Sequence, residues 1–295
     1  MRSPLVSVII PVFNGDQFIG ETIDSVIGQS YRDLEVLVID DGSDSKLKEI
    51  IQPYCYKDRR IRYYYQDHQG VSKARNYGIR LSQGSYLAFL DADDVWMEDN
   101  LWLKVPKLEG KSFGMVHSDA LLMDKNSQPV HGILRGREGW LLDDLLIWKT
   151  GQVPGPSSVL VKKEVIDRVG MFDENLSTAA DRDFFIRVSA HYEIGRIEKP
   201  TWKYRVHDAN MHKNISLMEK DTLYLYGKLS RERLFRSWIF KKRCFANMYR
   251  VLAASWRGDG QNSRKFLYFI SKAILSYPPV IFPVTSRAIR KWRPK

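Results

Sequence analysis

Four apolar runs of strand length, separated by segments of a different period, set the strongest limit on what this chain can fold into. VSVIIPVF, beginning at Val6, is rich in β-branched residues, and FIGETIDSVIGQ after it repeats its apolar residues at helical spacing. LEVLVID, Leu34 to Asp40, reads as a second buried strand, closed by DGS, a turn signal whose serine is placed to cap a helix. IRYYYQ reads as a third strand, VSKARNYGIRLSQG as a helix ending near Gly84, and YLAFLD as a fourth strand. This alternation predicts an α/β fold, a Rossmann-like, mostly parallel sheet flanked by helices. Such sheets bind ligands at the carboxyl ends of their strands, and polar residues collect there: Pro11 and Asn14, Asp40 and Asp41, then Asp91 and Asp93.

The fourth strand ends in LDADD, with Asp91, Asp93 and Asp94 inside four residues. Carboxylates this close repel, and they stay ionised only beside a cation, a set of hydrogen-bond donors or open water. Mg2+ and Mn2+ prefer oxygen ligands, and Mg2+ commonly takes one or two carboxylates plus the oxygens of a substrate phosphate. Asp-x-Asp at a strand end is therefore a candidate metal–diphosphate site. A polar turn with Asp94 capping the next helix explains the short motif equally well.

Composition narrows the class. The 295 residues suffice for one large α/β domain, or one domain with an appendage, and 44% hydrophobic with 27% charged residues is the make-up of a folded soluble protein. Cys55 and Cys244 lie far apart in different kinds of segment, which argues against a disulfide scaffold or thiolate metal site and fits a reducing cytosol. MRSPLVSVIIPVFNG reads as a strand and not as a signal peptide, and no stretch has the apolar length of a bilayer span. The net charge of +11 is unevenly placed: residues 221–295 hold 17 Lys and Arg against 3 Asp and Glu, residues 1–220 hold 29 against 32.

The middle third is less regular. Gly and Pro cluster in TGQVPGPSS before the apolar run VLV, and VIDRVGMFDENL and TAADRDFFIRVSAHY then form an acidic turn leading into an amphipathic helix. KPTWKYRVHDANMHKN follows, with no internal repeat or low-complexity tract anywhere.

In order, VSVIIPVFN, VLVIDDGSDS, GVSKARNYGI, AFLDADD, VGMFDENL, AAD with FFIRV, and YRVH resemble a family-2 glycosyltransferase of the GT-A type fold, a nucleotide-diphospho-sugar transferase. The resemblance covers about the first 215 residues and implies a catalytic domain over 1–215, with a nucleotide-binding half over about 1–100, an acceptor half over about 101–215, and a basic helical extension over 216–295. It implies that Asp41 reads the nucleotide base, with Asp40 beside it and Pro11 and Asn14 lining the pocket; a carboxylate suits an imide N–H because it only accepts. Arg75 would face base and phosphates, where a guanidinium binds oxygens bidentately, while Lys73 reads as a solvated neighbour. Asp93 matches the metal carboxylate, Asp91 is the first acid of the Asp-x-Asp, and His207 in YRVH resembles a residue that closes over metal or diphosphate from a late loop; His212 reads as a surface residue. Asp181 occupies the position of the general base. A Glu often precedes that Asp in the family, whereas position 180 here is Ala, and Asp183 two residues on is a rival for the role.

The resemblance thus implies an inverting transferase using Mn2+ or Mg2+, with a nucleotide-diphospho-sugar donor, UDP by default, and a saccharide or lipid-linked acceptor, in the cytoplasm or at the inner face of the cell membrane. Trp140, Trp148 and Trp202 are candidates for stacking on sugars or for core packing. The tail mixes aromatics with cations, as in LFRSWIFKKRCFANMYR, which suits either an anionic membrane surface or solvated helices packed on the domain. No DNA or RNA motif accompanies the charge, so nucleic acid ranks below both. Two other functions stay open. LDADDV also fits the nucleophile loop of haloacid-dehalogenase-like phosphatases, although that family has it near the chain's start, and the fold can also serve a non-catalytic sugar-nucleotide binder.

Overall fold

The computed structural model describes residues 4–44, 46–110, 112–207 and 214–281. By contacts the chain divides into two compact units, residues 1–145 with 149–211, and residues 146–148 with 212–295.

The first unit is built on a nine-stranded sheet. β1 (Val6–Val12), β2 (Leu34–Asp41), β3 (Ile61–Gln66) and β4 (Tyr86–Phe89) form its parallel part in the order β3-β2-β1-β4. β1 and β2 are buried along their whole length, which is why they read as continuous apolar runs instead of alternating ones. Helices α1 (Ile19–Ile27), α2 (Leu47–Lys57) and α3 (Val71–Leu81) are the crossovers. α1 buries Ile19, Thr22, Ile23 and Val26, one face at helical spacing, where each aliphatic side chain contributes about 1.5–3 kcal/mol. α3 approaches β1 so closely that a Cβ on Gly78 would lie 2.5 Å from Ile9 Cγ2; the glycine in ARNYGI is a packing requirement.

Beyond β4 the sheet changes character. The short strand β5 (Val95–Trp96) and α4 (Asn100–Glu109) come next, then β6 (Met115–Asp124) and β7 (Pro129–Leu134), an antiparallel pair. After α5 (Leu142–Leu146) and a 3-10 turn at Pro156–Ser158, β8 (Leu160–Lys162) inserts antiparallel between β4 and β6. α6 (Lys163–Val169) and α7 (Ala180–Ser189) precede β9 (Ile194–Val206), which runs parallel to β6 and antiparallel to β5. The element after Asp94 is thus β5, and no helix starts until Asn100. Trp202 is part of the core, whereas Trp140 is exposed.

The second unit is helical: α8 (Ile215–Arg231), α9 (Trp238–Arg257) and α10 (Ser263–Ser276). Each start is capped by a side chain, Asn214 on Leu217 N–H, Ser237 on Phe240 N–H and Asn262 on Lys265 N–H. Residues 146–148 join this unit through Tyr226, whose hydroxyl donates to Leu146 O (2.7 Å) and whose ring stacks with Trp148.

Candidate functional site

The carboxyl ends of β1, β2 and β4 lie side by side, and the loops leaving them are joined by hydrogen bonds. Asn14 takes φ +50°, a conformation Asn tolerates, and places its N–H on Ser43 Oγ (2.9 Å) and its Oδ1 on Asp44 N–H (3.0 Å). Ser43 is therefore occupied here and caps no helix; α2 begins at Leu47 without a side-chain cap. The reason is Asp40, whose Oδ1 accepts Ser43 N–H at 2.9 Å and closes the turn on itself, while its Oδ2 accepts the Tyr63 hydroxyl (2.6 Å). Gly42 sits at φ +78°, and a Cβ there would meet His68 N at 2.5 Å, so only glycine fits. Pro11 is buried just before this loop, in register with Ile39.

Asp41 is buried and organises residues 66–70. Its Oδ1 accepts from Gln66 Nε2 (2.6 Å) and Gln69 N–H (2.9 Å), its Oδ2 from Gly70 N–H (2.8 Å), and His68 Nδ1 lies 3.0 Å away. The exposed Phe13 ring packs on His68 with centroids 4.1 Å apart. Gly70 starts α3, and five residues along that helix, about 8 Å, Arg75 donates to Asp91 Oδ1 at 2.6 Å. One helix start thus connects the β2 acids to the β4 acids.

At the end of β4 the carboxylates gather. Asp91 N–H donates to Ser157 Oγ (3.1 Å), and that hydroxyl donates to Asp94 Oδ2 (2.5 Å). Asp94 Oδ1 accepts Arg205 N–H (3.0 Å), and Arg205 Nε donates to Asp93 O (2.7 Å). Arg205 is wholly buried, spends its remaining donors on Glu21, Ser127 and Asp124, and lies 4.5 Å over the Phe18 ring. Two residues on, His207 Nε2 lies 2.8 Å from Asp93 Oδ2. Asp94 is thus held by Ser157 and Arg205 and caps no helix.

The electrostatics show which acids share a field. Burial lifts Asp91 above its usual range; Arg75 opposes this, and Asp93 and Asp181 add to it. Asp94 is raised well above the carboxylate range by burial, then by Asp93 and Asp91. Tyr204 is raised by burial and then by Asp94, Asp93, Asp91 and Asp181, so Asp181 lies within electrostatic reach of the residue that also senses the β4 acids. Asp181 is half-buried in the first turn of α7, after an N-cap at Ala179. Asp183 is fully buried and ion-paired to Arg187 at 2.8 Å, a structural role.

The site thus brings together Asp91, Asp93, Asp94, Asp181, Arg75 and His207, with Asn14, Pro11, Asp40 and Asp41 along the adjoining strand ends. His212 lies outside the described residues. Among the described residues no group of three or more His, Cys, Asp or Glu is arranged to hold a metal by itself. The sequence reading missed Ser157, Tyr204 and Arg205 as neighbours of the acids; PGPSS and YRVH were the signals, but neither states what it faces.

The profile of the family described as "Glycosyl transferase family 2" matches residues 7–118, the stretch that carries β1 to β4 and the Asp-x-Asp. Over residues 7–118 this chain belongs to glycosyl transferase family 2. An uncharacterized glycosyltransferase of Rickettsia bellii is 31% identical over 210 residues, 71% of this chain and 30% of that protein. A putative teichuronic acid biosynthesis glycosyltransferase, TuaG of Bacillus subtilis, is 27% identical over 240 residues, 80% of this chain and 93% of the relative. The chain spans about a third of the length of the first curated relatives it matches (30%, 33% and 33%). Among solved structures, S. aureus TarS in complex with UDP-GlcNAc shares the fold at TM-score 0.62 and 16% identity, covering 98% of this chain and 93% of that one. Mannosyltransferase PcManGT from Pyrobaculum calidifontis, in complex with GDP-Man and Mn2+, aligns at TM-score 0.64 and 18% identity, over 98% of this chain and 79% of its own. Family membership leaves the phosphatase reading of LDADDV without support.

Proposed function

We propose that this family-2 protein moves a sugar from a nucleotide-diphospho-sugar to a hydroxyl of a saccharide or lipid-linked acceptor, with inversion, in the synthesis of a cell-surface polysaccharide. The observation that carries this reading is the gathering of Asp91, Asp93 and Asp94 at the end of β4, with Arg75 on Asp91 and His207 on Asp93. TuaG supports the polysaccharide class, and the donors in the TarS and PcManGT complexes support a nucleotide-sugar. UDP is the default nucleotide and GDP the alternative to be screened.

Residues at the β1 and β2 ends, Pro11, Asn14, Asp40 and Asp41, would hold the nucleoside. Arg75 would meet the diphosphate through the guanidinium that already reaches Asp91; its Nε is buried with no acceptor among the described residues. The β4 acids fit a hard dication, since they offer carboxylate oxygens and one imidazole and leave the remaining ligands to substrate. Asp93, Asp91 and His207 do not make a metal group by themselves; they would hold Mn2+ or Mg2+ together with the donor's diphosphate oxygens, and the ion would act as a Lewis acid toward the departing diphosphate. Asp181 takes the proton of the acceptor hydroxyl as its oxygen bonds the anomeric carbon; the bond from that carbon to the diphosphate oxygen breaks, and nucleoside diphosphate leaves. Residues 101–215 would supply the acceptor side. The reading places the enzyme in the cytoplasm, where the thiols of Cys55 and Cys244 stay reduced.

The test is a screen of UDP-, GDP- and dTDP-sugars by thermal shift and by nucleoside diphosphate release, with and without Mn2+ or Mg2+. A donor that stabilises the wild type only with metal, and not Asp93→Ala, is the expected result. Tight donor binding with no release under any acceptor would leave a sugar-nucleotide binder of the same fold.

A further inference from the structure

The outward face of α10 differs from an ordinary solvent face. Arg264, Leu267, Tyr268, Ser271, Lys272 and Leu275 are all exposed, Leu275 to 80%, and they recur at three- and four-residue steps, which places them on one side of the helix. The other side buries Phe269 and Ala273, with Tyr249 of α9 stacked on Phe269 at 6.1 Å. The helix is apolar on both sides, and packing within its unit accounts for one.

Cations are interleaved with the exposed apolar groups. Lys272 Nζ lies 5.4 Å from the Tyr268 ring centroid, and at the start of α9 Lys242 lies 3.7 Å from that of Trp238, itself 68% exposed beside an exposed Ile239. α9 and α10 run antiparallel, because Arg257 meets Phe266 while Tyr249 meets Phe269. Six residues past Phe269, about 9 Å, Leu275 is level with the region around Arg243, at the same end of the hairpin as Trp238.

Acid is absent from this helix: α10 contains three Lys and Arg and no Asp or Glu. Glu219, which meets α10 from α8, is bound by Lys265 (2.7 Å) and Trp256 Nε1 (2.7 Å). A second copy of the chain would bring one cationic face against another, whereas a lamella of anionic headgroups over acyl chains complements both the charge and the apolar stripe.

We propose that α10 docks on an anionic lipid surface, with Leu267, Tyr268 and Leu275 at the acyl boundary and Arg264 and Lys272 at the headgroup phosphates. The proposal is independent of the donor and metal assignments. It is tested by co-sedimenting the full chain with vesicles of phosphatidylcholine alone and of phosphatidylcholine with phosphatidylglycerol, at low and high salt. The expected result is binding to the anionic vesicles only, weakened by salt and by about fivefold for each cation removed. The double variant Leu267→Ser/Leu275→Ser, which alters only exposed side chains, should bind about tenfold or more weakly with an unchanged circular dichroism spectrum. No binding to anionic vesicles at low salt overturns the proposal, as does a double variant that binds like wild type. It is also overturned if truncation after Ile281 alone abolishes binding, or if light scattering shows that the two serines dissolve a dimer and leave vesicle binding unchanged.

Discussion

At the end of β2, every carboxylate oxygen of Asp40 and Asp41 accepts a hydrogen bond from a backbone amide, a phenol or a side-chain amide. One strand away but for β1, at the end of β4, the acids meet a guanidinium, an imidazole and one another, and Asp91 and Asp94 are pushed above the carboxylate range. Both are paired aspartates closing buried parallel strands. The difference is that neutral donors complete the first pair without outside help, while the second accumulates charge that the protein only partly offsets. The first pair builds a rigid wall; the second is the one that, on the proposed function, would receive a cation and what the cation carries.

The sharpest way to break the comparison is at Asp93. Asp93→Ala should lower transfer by about 10³-fold or more and abolish metal-dependent stabilisation by donor, with little change in the thermal midpoint of the free protein, because the bond from Arg205 to the Asp93 backbone carbonyl is kept. Retained metal-dependent donor binding in this variant would sink the assignment.

At α7 the contrast recurs two residues apart. Asp181→Asn should cost about 10²–10⁴-fold in kcat with donor KM unchanged. Asp183→Asn should instead destabilise the fold by about 3 kcal/mol, since it leaves Arg187 without its buried partner; steady-state kinetics and denaturant unfolding separate the two.

Acid stability offers a control outside both pairs. His117 is fully buried, its Nε2–H faces Arg137 O at 2.7 Å, and burial lowers its pKa to about 4. A neutral ring in the folded state against an ordinary value of 6.5 when unfolded means that its contribution is present above about pH 6.5 and is lost as pH falls toward 4, amounting to about 3 kcal/mol. Unfolding free energies measured from pH 7 to 4 should show this slope in wild type and a flatter one in His117→Gln.

The smallest effect belongs to the self-sufficient pair. Asp41→Asn should destabilise by about 1–2 kcal/mol through the lost bonds to Gln69 and Gly70, and weaken donor binding without altering its metal requirement. A changed metal requirement would mean that the two pairs are one unit.

Much of this was readable without coordinates. The alternation of strands and helices, the mostly parallel sheet that it implies and the placing of Asp40, Asp41, Asp91 and Asp93 at strand ends follow from local periodicity and turn residues. Ser43 misled, because a serine after Asp-Gly can cap a helix or bond a neighbouring loop; here Asp40 holds its N–H, and Asn14 from 29 residues earlier takes its hydroxyl oxygen. Asp94 misled for the same reason, its partners Ser157 and Arg205 being 63 and 111 residues away.

The residue types at each strand end, and the family to which their order points, belong to the sequence alone, since β-branched runs and turn chemistry act over a few neighbours. Helical spacing also sets Asp181 and Asp183 about 200° apart on α7. Which of them turns toward the β4 acids and which toward Arg187 was decided only by packing, because a helix fixes the angle between its side chains and leaves to the rest of the fold the face that is covered.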